Sequence, residues 1–323
     1  MRIIALFNQK GGVGKTTTTV NLGAALAEAG KSVILIDLDP QANLSASVGV
    51  DPDKPGVTTY RVLTEGVPLK EALRPVAKGS GGGATGKLLV APATTDLAAA
   101  EVELVSVIGR ESLLRKMAEA KKIDADYVLI DCPPSLGLLS LNALVYATEV
   151  IVPLQAHFLA LQGMEKLFDT VAMVRQGLNP KLHVSGILFC QFESSAKLTG
   201  EVTGEVDRFL AEARGTTHAA AKAIVFETTI RRNVKLAEAP SFGQSIFQYA
   251  PNSAGAADYS VLAEEVMKME PATKPAPQPK AAPEPKPAPE PKPTSQPKAA
   301  PAPEPKPAPQ PKAAPEPKPA PKP

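Results

Sequence analysis

The chain has 323 residues, 34 prolines, 44% apolar residues and a net charge of +2. Residues 271–323 hold 22 of those prolines and, apart from Thr273, Thr294 and Ser295, contain only Pro, Ala, Lys, Glu and Gln. That composition excludes a hydrophobic core, which predicts a disordered Pro/Ala/Lys-rich tail at 271–323 and one folded body at 1–270. The tail's nine lysines and four glutamates carry +5, which leaves −3 on the body and excludes polyanion binding by its overall charge.

In chain order, Ile3–Asn8 is a short apolar run that enters a glycine-rich loop. It has no charged leader and no small-residue cleavage site, so it is predicted as a first β-strand rather than a secretory signal. No run approaches the ~20 apolar residues that span a bilayer. Further strands are predicted at Ser32–Asp37, Leu88–Ala91, Tyr127–Asp131, Glu149–Pro153 and Val184–Cys190, with a short one near Ala223–Phe226. Helical patterns fall at about 16–29, 110–120, 138–147, 162–177, 201–214 and 254–269. Strands apolar on both faces and alternating with helices predict an α/β fold, a mostly parallel twisted sheet with helices on both faces. Ligands of such sheets bind at the carboxyl ends of the strands. The stretch 78–87 has five glycines in ten residues and is predicted as a loop. Cys132 and Cys190 lie in apolar runs without C-x-x-C spacing, which excludes a disulfide framework or zinc site and predicts a reducing, cytoplasmic setting.

The first strand leads into Lys10-Gly-Gly-Val-Gly-Lys-Thr-Thr17, and the helical pattern resumes with Leu22, Ala25, Leu26 and Ala29. Gly11, Gly12 and Gly14 let the backbone N–H groups of Gly11 to Thr17, Val13 included, converge on phosphate oxygens. The following helix start adds the positive end of its dipole, Lys15 reaches the outer phosphates and the Thr16 hydroxyl suits Mg²⁺. Two further strands end in acids, one in Asp37 and Asp39 and another in Asp131. Carboxylates at these strand ends suit a metal ion or an oriented water.

The spelling K-G-G-x-G-K-[ST] resembles that of the deviant Walker A family of P-loop ATPases. The resemblance implies ATP as substrate and Mg²⁺ as cofactor. It implies that Lys10 points across a dimer interface to the partner's ATP, that Asp131 is the Walker B aspartate holding Mg²⁺ through water, and that Asp39 positions the attacking water, with Asp37 structural. Asp37-Leu-Asp-Pro-Gln-Ala-Asn43, Asp131-Cys-Pro-Pro-Ser-Leu-Gly137 followed by Leu141-Asn-Ala143, and Val234-Lys-Leu-Ala-Glu-Ala-Pro-Ser-Phe-Gly243 look like the ParA branch, in the short Soj-like form without an N-terminal DNA-binding domain. MinD-type relatives need a C-terminal membrane helix, which proline at nearly every second position forbids. Iron proteins need cluster cysteines gathered at a dimer axis.

The ParA resemblance implies an ATP-dependent homodimer that binds nucleoid DNA without sequence preference, and a ParB-like centromere-binding partner that stimulates hydrolysis. Membrane has no part in that cycle. The matching basic segment is Ile230-Arg-Arg-Asn-Val-Lys235, with Arg231, Arg232 and Lys235 as its cations. The chain reads Phe192-Glu-Ser-Ser-Ala-Lys197 where the family carries a Tyr-Asp-x-Arg-like segment, so Lys197 replaces that arginine only in part. A second reading in the same family is a cargo-positioning ATPase that places a protein assembly on the nucleoid. The tail is expected to extend as polyproline II, either as a spacer or as a tether for another protein.

Overall fold

The computed structural model describes residues 1–51, 54, 56–77, 86–156, 158–193 and 197–269, with the side chains of 158–162 and 197–199 left aside. The expected boundary at 270, the tail 271–323 and most of the glycine-rich loop 78–87 lie outside the described residues.

Among the described residues nine strands form the sheet: β1 (Arg2–Leu6), β2 (Ser32–Asp37), β3 (Arg74–Pro75), β4 (Lys87–Ala91), β5 (Tyr127–Asp131), β6 (Glu149–Leu154), β7 (His183–Phe192), β8 (Ile224–Val225) and β9 (Ile230–Arg231). Their order is β3-β4-β2-β5-β1-β6-β7-β8, with β9 against β7. Among the described residues, only the β3–β4 pair is antiparallel. The expected strands are all present. The two-residue strands β3 and β9 were not anticipated, because two residues carry no periodicity to read.

Alternation along each strand divides the core. Ile4, Leu6, Val33, Leu35 and Leu129 face one layer, with α1 (Lys15–Glu28) and the helix Ala254–Lys268. Ile3, Ala5, Phe7, Ile34, Ile36, Val128 and Ile130 face the other, covered by the helices Leu113–Ala120, Leu138–Tyr146, Phe158–Gly177 and Lys197–Ala213. These are the expected helices. Several of one or two turns add to them, among them α2 (Asn43–Ser47). Gly23 lets α1 lie close on the sheet, since a Cβ there would fall 2.6 Å from the Leu35 Cδ2 atom. One buried ion pair ties the sheet across a long separation: Arg2 Nη2 meets Glu149 Oε2 at 2.6 Å, and Arg2 Nη1 donates to the carbonyl of Val266.

This topology places the carboxyl ends of β1, β2 and β5 side by side. Leu6 pairs with Asp131, and Asp37 pairs with Asp131 from the other flank. The glycine-rich loop and the acidic strand ends therefore meet at one edge.

Candidate active site

The loop between β1 and α1 turns through Gly12 (φ +74°) and Gly14 (φ +97°), conformations that side-chain-bearing residues resist. At Gly14 the backbone also passes Cys190, where a Cβ would lie 3.4 Å from that side chain. Lys15 opens α1, and its Nζ curls back to donate to the carbonyl of Lys10 at 3.0 Å. Burial pushes the Lys15 pKa down, against the pull of Asp131, Cys132 and Asp39. The Lys10 side chain itself is exposed at the mouth of the loop.

Three carboxylates stand behind the loop in different surroundings. Asp37 is fully buried and accepts from the Ser45 hydroxyl at 2.7 Å, the Ser45 N–H at 2.9 Å and the Asp39 N–H at 3.1 Å, which fixes the turn into α2. Burial lifts its pKa to about 6, although those three donors oppose the shift. Asp39 accepts from the Gln41 N–H at 2.9 Å and faces the cleft. Asp131 is fully buried; its Oδ2 accepts from the Thr16 hydroxyl at 2.6 Å, and its Oδ1 has no hydrogen-bond partner among the described residues. Burial, followed by the nearby Asp37, raises its pKa well above the carboxylate range. A dry carboxylate with one oxygen unpartnered, next to a phosphate loop, fits a Mg²⁺ ion: Thr16 and Asp131 would hold it, and it would neutralise phosphate charge. Among the described residues no three His, Cys, Asp or Glu side chains gather as a metal site of protein ligands alone.

A cleft of about 470 Å³ opens over Gly11 to Thr17, with Asp39, Pro134 and Pro240 on its walls. A second hollow of about 310 Å³ lies on the far side of Gly14 and Thr17, against Arg232 and Asn233. Gln191 borders both, and its backbone has φ +52°. Its Nε2 donates to the carbonyl of Gly12 at 3.0 Å, and Gln155 Nε2 donates to the same carbonyl at 3.0 Å. The two glutamines clamp the loop from the ends of β6 and β7. The sequence gives no sign of them, because a lone glutamine at the end of a strand has no signature.

The expected cations of the 230–235 segment differ in their surroundings. Arg231 is engaged by Asp258 through Nε and Nη2, and its own N–H donates to the same carboxylate at 3.0 Å. Arg232 is largely exposed and lies 3.2 Å from Glu193. Lys235 pairs with Glu238 at 2.9 Å and sits 5.6 Å over the Tyr249 ring. Lys197 begins the helix Lys197–Ala213, and its side chain is outside the described residues. Cys132 and Cys190 are buried and free, and burial pushes the Cys190 thiol up to about 12, so both serve packing.

Residues 1–184 match the AAA-domain family. The chain is 46% identical over 267 residues to the chromosome-partitioning ATPase Soj of Thermus thermophilus, covering 83% of this chain and 96% of that one. It is 43% identical over 269 residues to the chromosome partitioning protein ParA of Myxococcus xanthus, covering 83% and 89%. The chain belongs to the ParA/Soj family of P-loop ATPases. Among solved structures, it superposes on the cobyrinic acid a,c-diamide synthase of Mycobacterium smegmatis, a structure holding ADP and magnesium, with a TM-score of 0.66 and 36% identity over 82% of this chain and 94% of that one. As a ParA/Soj-type ATPase the chain hydrolyses ATP with Mg²⁺. No helix among the described residues is long and apolar enough to cross a membrane.

Proposed function

We propose that this ParA/Soj-type ATPase is a DNA-partition switch: ATP drives homodimerisation, the dimer binds nucleoid DNA without sequence preference, and a ParB-like partner stimulates hydrolysis and releases it. Similarity to Soj along nearly its whole length supports the reading. Partition proteins match at 40–46% identity, above the 36% of the neighbour that carries a synthase name.

The observation that carries the mechanism is the bond from Lys15 Nζ to the Lys10 carbonyl. Incoming phosphates compete for the Lys15 ammonium, since a charge-assisted bond to phosphate is stronger than one to a neutral carbonyl. Lys15 then turns to the outer phosphates, and the strand of loop bearing Lys10 is freed to present its side chain to the partner's nucleotide. The loop's N–H groups hold the phosphates and Asp39 orients the water. That water's oxygen bonds to the γ-phosphorus as the bond to the β–γ bridging oxygen breaks, leaving ADP and phosphate. Lys10 acts as a cation supplied in trans, so hydrolysis waits for the dimer.

For DNA, Arg232 is the most exposed cation of the segment, and dimerisation would double the patch. The test is DNA binding by the purified chain with ATP, with ADP and without nucleotide, across a salt series. Binding confined to the ATP arm and falling steeply with salt is expected. Equal DNA binding in all three arms would overturn the proposal.

A further inference from the structure

The first half of the phosphate loop is braced by hydrogen bonds rather than by packing. A Cβ at Gly11 or Gly12 would meet no atom of the described residues within 4 Å beyond its chain neighbours, whereas one at Gly14 would meet Cys190 at 3.4 Å. Steric support is therefore missing where Gly12, at φ +74°, is of a residue type that turns easily. Side-chain amides supply the support instead. In the sheet β1, β6 and β7 are neighbours, and each brings one carboxamide to the loop from its carboxyl end. Asn8, just beyond β1, is buried; its Nδ2 donates to the Pro153 carbonyl at 2.8 Å, and its Oδ1 accepts from the Lys10 N–H at 3.0 Å. Gln155, just beyond β6, and Gln191, near the end of β7, both donate through Nε2 to the Gly12 carbonyl, each at 3.0 Å.

Gln191 stands in a β-bulge. Cys190 pairs with Ile230 and Phe192 with the next residue, Arg231, so Gln191 is an extra residue in the β7–β9 ladder, and its backbone turns to φ +52°. A residue with a side chain holds that conformation at a cost, and such strain persists where the surroundings use it. Here it accompanies the bond to Gly12. In a planar trans peptide the C=O and the following N–H point in opposite directions, so two donors on the Gly12 carbonyl also fix the direction of the Val13 N–H. N–H groups that converge on a phosphate site repel one another until the anion sits among them, so the empty cradle resists its own geometry. Two neutral amides oppose that resistance without adding a charge.

We propose that Gln155 and Gln191 are paired positioning residues for ATP: they hold the Gly12–Val13 peptide in the orientation that presents the Val13 N–H to phosphate, and each partly covers for the other. The apparent Kd for nucleotide rises as the competent fraction of the loop falls, so the clamp acts on binding rather than on the chemical step. Water satisfies an exposed carbonyl in any orientation, so loss of the amides is felt by the loop and not by the fold. This rests on the loop as the phosphate site, which Lys15→Ala tests on its own.

The test uses the full chain with Gln155→Met, Gln191→Met and both together, titrated with fluorescent analogues of ATP and ADP. Methionine keeps the length of the side chain and removes the N–H donor. One donor still holds the carbonyl in each single variant, so affinity should fall about twofold in either, and roughly tenfold in the double variant, more than the roughly fourfold of two independent losses. The loop N–H groups cradle the inner phosphates, so ADP should lose by the same factor as ATP. In steady-state hydrolysis KM should rise with that loss while kcat changes by less than about twofold, and the melting temperature without nucleotide should move by less than about 2 °C. Gln191→Gly in the Gln155→Met background separates the amide from the backbone. Glycine takes φ +52° freely, so a role of the bulge alone would be rescued, and the expected result is binding at least as weak as in the methionine double variant. Wild-type affinity in either double variant, a combined loss no larger than the product of the single ones, or a loss confined to ATP would overturn the proposal. Tight ATP binding by Lys15→Ala would instead remove the loop as the phosphate site, and the clamp with it.

Discussion

The nucleotide cleft and the basic segment 230–235 both depend on charge, and they hold it in opposite ways. In the cleft, charges are removed from water and each is fixed by a short bond: Lys15 to a carbonyl, Asp131 to Thr16, Asp37 to Ser45. In the basic segment, the cations stand near solvent and each has an acid close by. A buried charge is costly without its designed partner, so removing one such group has a large, specific effect. An exposed pair contributes little and is replaced by water or phosphate with little change in energy. Single substitutions should therefore separate the two regions sharply.

The largest effect is expected at Lys15. Lys15→Ala should weaken ATP binding by roughly a hundredfold or more, because it deletes a desolvated charge-assisted contact to the outer phosphates. Titration with a fluorescent ATP analogue measures it, and tight binding by the variant would remove Lys15 from the site. Asp39→Ala should bind ATP nearly as wild type but hydrolyse it roughly a hundredfold more slowly, the scale of losing the orientation of the attacking water. That variant should accumulate as an ATP-bound dimer in size-exclusion chromatography. Hydrolysis at the wild-type rate would show that another group orients the water.

Asp37 gives the cleft a pH signature. Its folded pKa of about 6 lies above the ordinary 3.8, so the folded state holds the proton more tightly than the unfolded chain. The resulting stability is fully present below about pH 4 and is lost as the pH rises through 6. At 1.36 kcal/mol for each pKa unit, the loss reaches about 3 kcal/mol. Urea unfolding of the chain without nucleotide or Mg²⁺, at intervals between pH 4 and 7, measures the slope. Asp37→Asn should flatten this contribution while lowering stability throughout, because its amide N–H would face the Asp39 N–H. An unchanged slope in that variant would assign the effect to another group.

How much of each region is legible in the sequence follows from how local its contacts are. The phosphate loop is eight consecutive residues between a strand and a helix, and Asp37 and Asp131 each end a run of β-branched and leucine residues. The cleft could thus be assembled from short patterns and strand order. Its clamp could not, since Gln155 and Gln191 reach Gly12 across 143 and 179 positions. The basic segment is legible only as composition. That Arg231 is held by Asp258, 27 residues on, and that Arg2 meets Glu149 across 147, are consequences of packing with no local signal. Short elements such as β3, β9 and α2 escape for a related reason: their tertiary neighbours define them, not their own periodicity.

Within the basic segment the two arginines should separate. Arg232→Glu should reduce ATP-dependent DNA binding roughly tenfold and leave the melting temperature unchanged, because its side chain is exposed and its neighbour Glu193 lies at 3.2 Å. Arg231→Ala should instead lower the melting temperature by a few degrees, since it leaves the buried Asp258 carboxylate without its cation. Filter binding and a thermal scan on the same two proteins decide it. The reverse outcome, an Arg232 variant with a lowered melting temperature and a stable Arg231 variant deficient in DNA binding, would exchange the roles of the two arginines.

The smallest effect is expected at Lys235. It lies i,i+3 from Glu238 on one short helix, and the Tyr249 hydroxyl donates to the same Glu238 carboxylate at 2.8 Å, so Glu238 keeps a partner when the lysine is lost. Removal of an exposed cation from such a cluster leaves no buried charge behind, and water takes its place. Lys235→Ala should therefore shift the melting temperature by about 1 °C or less. DNA affinity should fall about two- to threefold near 50 mM salt and converge on wild type as salt rises, because the contact displaces one counterion and carries no sequence information. The logarithmic salt slope should become shallower by about one unit per lysine that contacts phosphate. An affinity loss that persists unchanged at high salt would mean that Lys235 makes a specific contact, and the contrast between a fixed cleft and a loosely held surface would then have to be redrawn at this residue.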